Sequence, residues 1–445
     1  MSPIFKAYDV RGIFPDELDE DTARRIGAAF AEWSRAQRIV VGRDCRLSSP
    51  ALAEAFASGA NARGADVVDI GLAATDLLYY ASGMLDVPGA MLTASHNPPQ
   101  YNGIKLCLAG AAPVGEETGL VDIRELAERD AYGPAPREGT VERRDLLSAY
   151  VQHVVGFIDA DRIAPLTVVA DTANGMGGLV VPPVFSRLPV ELIQLFPELD
   201  GTFPNHPADP IDPENQRDLM RAVTENSADI GLAFDGDADR VFLVDEHAEG
   251  VSGSLVTALV AESMLQKHPG AKILHNVICS WTVPEVIGEH GGVGVRTRVG
   301  HSFIKKVMAD TGAVFGGEHS GHYYFRDHYR ADSGLIAALI VLEVLSEYGG
   351  PLSKLLAPYR RYEASGEINS QVEDQSAMIE RLAERYAEGK QDRLDGLTVE
   401  YEDWWFNVRP SNTEPLLRLN VEARTKDLLE EETKELLGLI RGETT

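Results

Sequence analysis

Over roughly the first 350 residues, short β-branched runs alternate with helical patterns, an order of elements that predicts α/β layers. Arg38-Ile39-Val40-Val41-Gly42 is expected to be a strand running into a polar loop. The same holds for Ala90-Met91-Leu92-Thr93, Thr167-Val168-Val169-Ala170, Ile230-Gly231-Leu232-Ala233-Phe234 and Lys272-Ile273-Leu274-His275-Asn276. Each run ends at a small or polar residue. The pattern predicts about three similar α/β units, although no internal repeat is clear enough to establish duplication. Two stretches read as boundaries. Tyr132-Gly133-Pro134-Ala135-Pro136 leads through charged residues to a helical pattern near Leu146 to Ile158. Tyr348-Gly349-Gly350-Pro351 precedes a change of character. Beyond it, strand-like runs and two charged amphipathic helices, near Ser376 to Glu388 and Lys426 to Arg441, predict a small α+β domain.

A chain of 445 residues is too long for one core, so two to four domains are expected. The net charge of −28 argues against a broad nucleic-acid or anionic-membrane surface, both of which need a basic footprint. It leaves room for an anionic ligand, because a local arginine cluster outweighs a distant negative field. No apolar h-region opens the chain and no apolar run is long enough to span a bilayer. Cys45, Cys107 and Cys279 are odd in number and widely spaced, which predicts free thiols in a reducing cytoplasm rather than disulfides or a zinc site.

Four segments carry candidate chemistry. In the first, Thr93 to Lys105, a strand stops at Thr93 and a Pro-rich loop follows. Asn102-Gly103 predicts a tight turn, and a second strand, Ile104 to Leu108, would bring Lys105 back beside Ser95. Ser95 is thus placed as a nucleophile, although a capped turn with a surface lysine explains this segment taken alone. In the second, Asp235-Gly236-Asp237-Ala238-Asp239-Arg240 lies between two apolar strands. Three alternating carboxylates repel one another without a cation, and oxygen-only ligands suit Mg²⁺. An EF-hand start is rejected, although Glu246 falls at its twelfth position, because Arg240 stands where its turn glycine belongs and the flanks are strands. In the third, Gly316-Gly317-Glu318-His319-Ser320-Gly321-His322, the glycines permit close approach to a ligand and Glu318 and Ser320 suit sugar hydroxyls. In the fourth, Arg409-Pro410-Ser411-Asn412-Thr413-Glu414-Pro415, a guanidinium, hydroxyls, an amide and loop N–H groups form a candidate phosphate cradle.

Together and in this order, the four segments resemble the active-site loops of the α-D-phosphohexomutase family, one per domain. Lys6-Ala7-Tyr8-Asp9-Val10-Arg11-Gly12, Val41-Gly42-Arg43-Asp44 and Val299-Gly300-His301-Ser302-Phe303-Ile304-Lys305 extend the resemblance over nearly the whole chain. The wording Glu318-His319-Ser320-Gly321-His322 is most similar to the phosphomannomutase/phosphoglucomutase branch. The resemblance implies three similar mixed α/β domains (1–140, 141–249, 250–356) and a smaller α+β C-terminal domain (357–445) around a central cleft. It implies that Ser95 carries a phosphoryl group, and that Asp235, Asp237 and Asp239, with a phosphoserine oxygen, hold Mg²⁺. Arg11 and Arg240 would flank the transferring group, and Lys105 and His301 would move protons. Tyr8, Glu318, Ser320 and His322 would bind the sugar, and Arg409, Ser411, Asn412 and Thr413 would clamp the phosphate that is not reacting. The implied reaction interconverts hexose 6- and 1-phosphates through a hexose 1,6-bisphosphate, which also serves as activator, with mannose first and glucose as well. Ile278, in a place where some bacterial relatives carry lysine, departs from the pattern. The competing readings are a phosphoglucosamine mutase and a metal-dependent sugar-phosphate phosphatase. No nucleic-acid or membrane partner is expected, and the oligomeric state is left open.

Overall fold

The computed structural model describes residues 1–135, 137–411 and 416–442. Four sheets follow one another along the chain. In the first, the order is Val10–Ile13, Tyr101–Leu108, Gly89–Leu92, Arg38–Arg43, Asp66–Leu72 and Val141–Arg143. The second runs Gly250–Val251, Val241–Val244, Ile230–Phe234, Thr167–Asp171, Glu191–Leu195. The third runs Val293–Thr297, Lys272–Asn276, Phe315–Gly317, Tyr323–Phe325.

These three sheets share one core. Each has three adjacent parallel strands, and the last of the three in sequence pairs with an antiparallel return strand. The connections entering that hairpin are residues 93–100, 235–240 and 318–322, so three of the four chemistry-bearing segments occupy the same place in a repeated unit. The repetition that is faint in the sequence is plain in the strand order. In such sheets the ends of parallel strands are where sites form.

The fourth sheet is antiparallel throughout, in the order Glu363–Ser370, Leu417–Ala423, Trp404–Pro410, Leu397–Glu400, Lys390–Asp392. Helices Gln375–Arg385 and Lys426–Arg441 cover it, close to the two expected amphipathic helices. Its core, with Phe406, Leu419 and Leu436, is separate from the core that joins the other units. That larger core is built on helix Gly334–Tyr348, which is apolar on nearly every side because it is buried on nearly every side. Among the described residues no single helix is long and apolar enough to cross a membrane.

Two strands fall across the expected boundaries. Val141–Arg143 completes the first sheet by pairing with Asp66–Leu72, and Gly250–Val251 pairs with Val241–Val244 of the second. The expected turn at Asn102-Gly103 is corrected as well, since strand Tyr101–Leu108 contains both residues. Asn102 is buried, and its Nδ2 donates to the hydroxyls of Ser48 and Ser49. Gly103 faces Arg11 across the strand pair, and a Cβ there would stand 2.3 Å from the Val10 carbonyl oxygen. The glycine serves a close backbone approach, not a turn.

Candidate active site

Ser95 follows the end of strand Gly89–Leu92 and has a left-handed backbone, φ 51°. Its amide donates to Thr93 Oγ1 at 3.0 Å, and its hydroxyl donates to Asp235 Oδ2 at 2.6 Å. The first two hairpin loops therefore meet at the candidate nucleophile. His96 Nδ1 lies 3.3 Å from the same hydroxyl.

Asp235, Asp237 and Asp239 are buried, and one oxygen of each lies within 4.8 Å of the others. Lys105 lies on the return strand Tyr101–Leu108, and its Nζ donates to Asp237 Oδ2 at 2.7 Å and Asp239 Oδ2 at 2.6 Å. Arg240 Nε donates to Asp235 Oδ2 at 3.0 Å, and Thr75 Oγ1 to Asp237 Oδ2 at 2.6 Å. Burial, aided by the two neighbouring carboxylates, pushes Asp235 up to about 8 despite Arg240. Asp237 is also buried, but Lys105 holds it well below the usual carboxylate range. Asp237 Oδ1 and Asp239 Oδ1 are buried without a hydrogen-bond partner among the described residues. All-oxygen donors, two of them orphaned, fit a hard divalent cation such as Mg²⁺. The EF-hand is excluded by the flanks, an antiparallel strand pair. Glu246 accepts instead from the backbone and hydroxyl of Ser353.

Arg11 lies on the strand beside the Ser95 loop, where its Nε donates to Asp9 and its Nη1 to Asn97 Oδ1. In the third loop, Glu318 accepts from the Tyr324 hydroxyl at 2.6 Å, the Gly300 amide at 3.0 Å and Asn276 at 3.2 Å. Ser320 Oγ is 2.9 Å from His322 Nδ1, and His322 Nε2 is 3.8 Å from Asp239 Oδ1, so this loop reaches the carboxylate cluster. Gly316 and Gly317 belong to strand Phe315–Gly317. A Cβ on Gly317 would stand 2.3 Å from Thr257 Oγ1, so this glycine admits a packed helix rather than a ligand. His301 opens helix His301–Thr311, and its Nδ1 is buried with no hydrogen-bond partner among the described residues. Burial, assisted by Lys305, drives its pKa far down, so the imidazole is neutral. The Tyr8 ring packs edge-on against His301, with centroids 5.4 Å apart, and its hydroxyl donates to the Val299 carbonyl.

In the C-terminal domain Arg409 is buried at the end of strand Trp404–Pro410, with Nη2 donating to Glu367 at 2.7 Å. Burial and the Glu318 carboxylate push the Tyr8 hydroxyl up while the Arg409 guanidinium acts in the opposite sense, so the third and fourth segments both come near Tyr8. Ser411 donates its amide to the Leu416 carbonyl at 2.8 Å. Asn412 and Thr413 lie outside the described residues. Ile278 is buried at a crevice of about 270 Å³ between the third and C-terminal domains, beside Ser280, His319 and Glu422.

Several residues outside the four segments support the site. Thr75 supports Asp237 from the first domain. Lys305 and Asp332 form a buried ion pair of 2.7 Å behind His301 and His322. Arg46, two positions beyond the Val41-Gly42-Arg43-Asp44 stretch, lies beneath the Ser95 loop.

The chain matches four profiles described as phosphoglucomutase/phosphomannomutase, three of them alpha/beta/alpha domains, I over residues 2–132, II over 148–250 and III over 252–362, and the fourth the C-terminal domain over 367–439. It is 43% identical over 450 residues to a phosphomannomutase of Salmonella montevideo, covering 98% of this chain and 99% of that one. A Xanthomonas campestris protein named phosphohexose mutases is 42% identical, with 99% of each chain covered. A crystal structure of a phosphoglucomutase/phosphomannomutase family protein from Burkholderia thailandensis superposes with a TM-score of 0.92 at 33% identity, covering 100% of this chain and 99% of the other. The repeated hairpin loops, the buried aspartate cluster and these full-length likenesses agree: the chain belongs to the phosphoglucomutase/phosphomannomutase family.

Proposed function

We propose that the chain interconverts hexose 6-phosphate and hexose 1-phosphate through a phosphoserine at Ser95. The observation that carries this reading is the Ser95 hydroxyl on Asp235, inside a buried cluster of three aspartates bridged by Lys105. Asp235, Asp237 and Asp239, with an oxygen of the phosphoserine, would hold Mg²⁺. When bound, the ion withdraws charge from the phosphoryl oxygens, which eases in-line transfer.

Phosphoserine donates its phosphoryl group to the free sugar hydroxyl and leaves a hexose 1,6-bisphosphate. That intermediate turns over in the cleft, and its other phosphate returns to Ser95. Free hexose 1,6-bisphosphate is accordingly an activator, since it restores a serine that has lost its phosphate. Arg240 and Arg11 flank the moving group. Lys105 and the neutral His301 carry protons between sugar hydroxyls and the site. Glu318, Ser320 and His322 hold sugar hydroxyls, with Tyr8 alongside. Arg409 and Ser411 clamp the distal phosphate, and the assignment extends to Asn412 and Thr413.

Mannose is the favoured sugar, because the curated relatives carry the name phosphomannomutase, and glucose is the second. The three free cysteines favour a reducing cytoplasm. A phosphatase on the same scaffold would have no use for a second phosphate clamp. Coupled assays with mannose, glucose and N-acetylglucosamine 1-phosphates, each with activating bisphosphate, test the reading. Isomer formation without stoichiometric phosphate release is expected. Phosphate release without isomer would replace the mutase by a phosphatase, and turnover of the N-acetylglucosamine ester alone would move the chain to the glucosamine branch.

A further inference from the structure

Ser95 is held in an uphill conformation. A left-handed backbone is uncommon for a residue other than glycine, and at a functional position something must impose it. The side chain below it is Arg46, which is fully buried, with Asp44 as its ion-pair partner.

A guanidinium has five N–H donors in one plane, and each of those of Arg46 has an acceptor. Nε donates to Asp44 Oδ2 at 3.1 Å. Nη1 donates to the carbonyls of Pro98 at 2.8 Å and Tyr101 at 3.1 Å. Nη2 donates to the carbonyls of Ser95 at 2.8 Å and Asn97 at 2.7 Å. Four carbonyls from one seven-residue turn of chain thus face a single rigid group. Two of the peptides that follow them, at Pro98 and Pro99, have no N–H to exchange for this arrangement. The fork is itself fixed. Asp44 accepts from Ser49 and from the Arg46 amide, and the Phe203 ring of the second domain lies 5.0 Å from the guanidinium carbon. A Cβ on Gly201 would stand 2.3 Å from Arg46 Cα, so the second-domain loop closes directly over this residue.

We propose that Arg46 is the positioning residue of the phosphoryl-accepting serine. By ordering the carbonyls of residues 95, 97, 98 and 101 on one plane, it keeps Ser95 left-handed and its Oγ against Asp235. This rests on the phosphoserine reading above. Charge alone does not suffice for the role: lysine keeps the charge but offers three donors from one point, which cannot serve four carbonyls and Asp44 together. A merely structural arginine would, when replaced, weaken sugar binding and transfer alike. A positioning arginine affects the transfer, in which the Ser95 Oγ–P bond forms as the sugar O–P bond breaks and the serine proton passes to the departing sugar oxygen.

The test uses dephosphorylated full-length enzyme with Mg²⁺ and glucose 1,6-bisphosphate, quenched at intervals and read by intact mass. Binding of mannose 6-phosphate is measured on the same samples by calorimetry. Arg46→Lys is expected to take up phosphate about a hundredfold more slowly than wild type, with a dissociation constant within about threefold. Asp44→Asn loosens the fork but keeps its carbonyl bonds, and is expected to be about tenfold slower, again with binding preserved. If Arg46→Lys does not fold, Asp44→Asn decides between the two roles. Transfer at the wild-type rate in whichever folded variant is measured, or equal losses of transfer and binding, would overturn the role of Arg46 while leaving the phosphoserine intact. A wild-type enzyme that takes up no phosphate would overturn the phosphoserine reading, and the positioning role with it.

Discussion

The second and third hairpin loops occupy equivalent places in equivalent sheets, yet they are finished to different degrees. In the loop of residues 235–240, every aspartate is buried, and Ser95, Lys105, Arg240 and Thr75 are already bonded to the cluster at 2.6–3.0 Å. In the loop of residues 318–322, Glu318 is likewise buried and bonded, but Ser320 and His322 are half-buried and pair with each other, and His322 approaches Asp239 at the longer distance of 3.8 Å. Preset bonds suit a step that depends on electrostatic preorganisation, and a loop that keeps a serine and a histidine half-buried suits sugar recognition. Changes in the second loop are therefore expected to lower kcat, and changes in the third to raise KM.

The largest effect is expected at Asp237. Asp237→Asn should lower kcat by about a thousandfold or more, with KM for mannose 1-phosphate within about threefold. Chelation should abolish turnover and Mg²⁺ restore it. Steady-state kinetics and metal titration check both, and a KM effect as large as the kcat effect would erase the distinction between the loops. Glu318→Gln keeps the shape of the third loop and removes the charge that its donors share. We expect kcat/KM to fall about a hundredfold, mainly through KM. A loss confined to kcat would place Glu318 with the chemistry instead.

Glucose and mannose differ only in configuration at C2, and neither Glu318 nor Ser320 is assigned to that position. Both sugars should therefore be substrates, with kcat/KM within about a hundredfold. A preference beyond about ten-thousandfold would reveal a contact that reads C2, and the crevice beside Ile278 would be the first place to seek it.

The smallest effect concerns stability. Burial pushes Asp76 up to about 7, even though the hydroxyls of Ser333 and Tyr150 donate to it. The folded protein keeps this proton where the unfolded chain, with a carboxyl near about 3.9, has released it. Folding stability attributable to Asp76 thus falls as pH rises from about 4 to about 7, by up to roughly 1.4 kcal/mol per unit, and is level above that. Asp76→Asn should flatten that slope in denaturant titrations at several pH values. An unchanged slope would show that Asp76 titrates normally.

Local pattern made the strands legible: Ile230–Phe234 and Lys272–Asn276 lie where their apolar runs place them. The meaning of several glycines was not legible, because it depends on what packs against them. Gly103 sits in a strand against the Val10 carbonyl, and Gly317 sits against Thr257. Asn102-Gly103 has the local signature of a turn, but the pairing of Gly103 with Arg11 prevails. The loop residues of the site were visible because each group stands in a dense polar segment. Arg46, Thr75 and Asp332 act across long chain separations, and nothing in their neighbours marks them. The threefold strand order was hidden for a related reason, since different apolar residues build the same sheet.

The central claim is that Ser95 carries the phosphoryl group, and peptide mass spectrometry after incubation with hexose 1,6-bisphosphate tests it most directly. The account predicts one phosphoryl group per chain on the peptide containing Ser95, with none taken up by Ser95→Ala and activity of that variant below about a thousandth of wild type. Phosphate on another residue, or Ser95→Ala retaining more than about a tenth of wild-type activity, would contradict it.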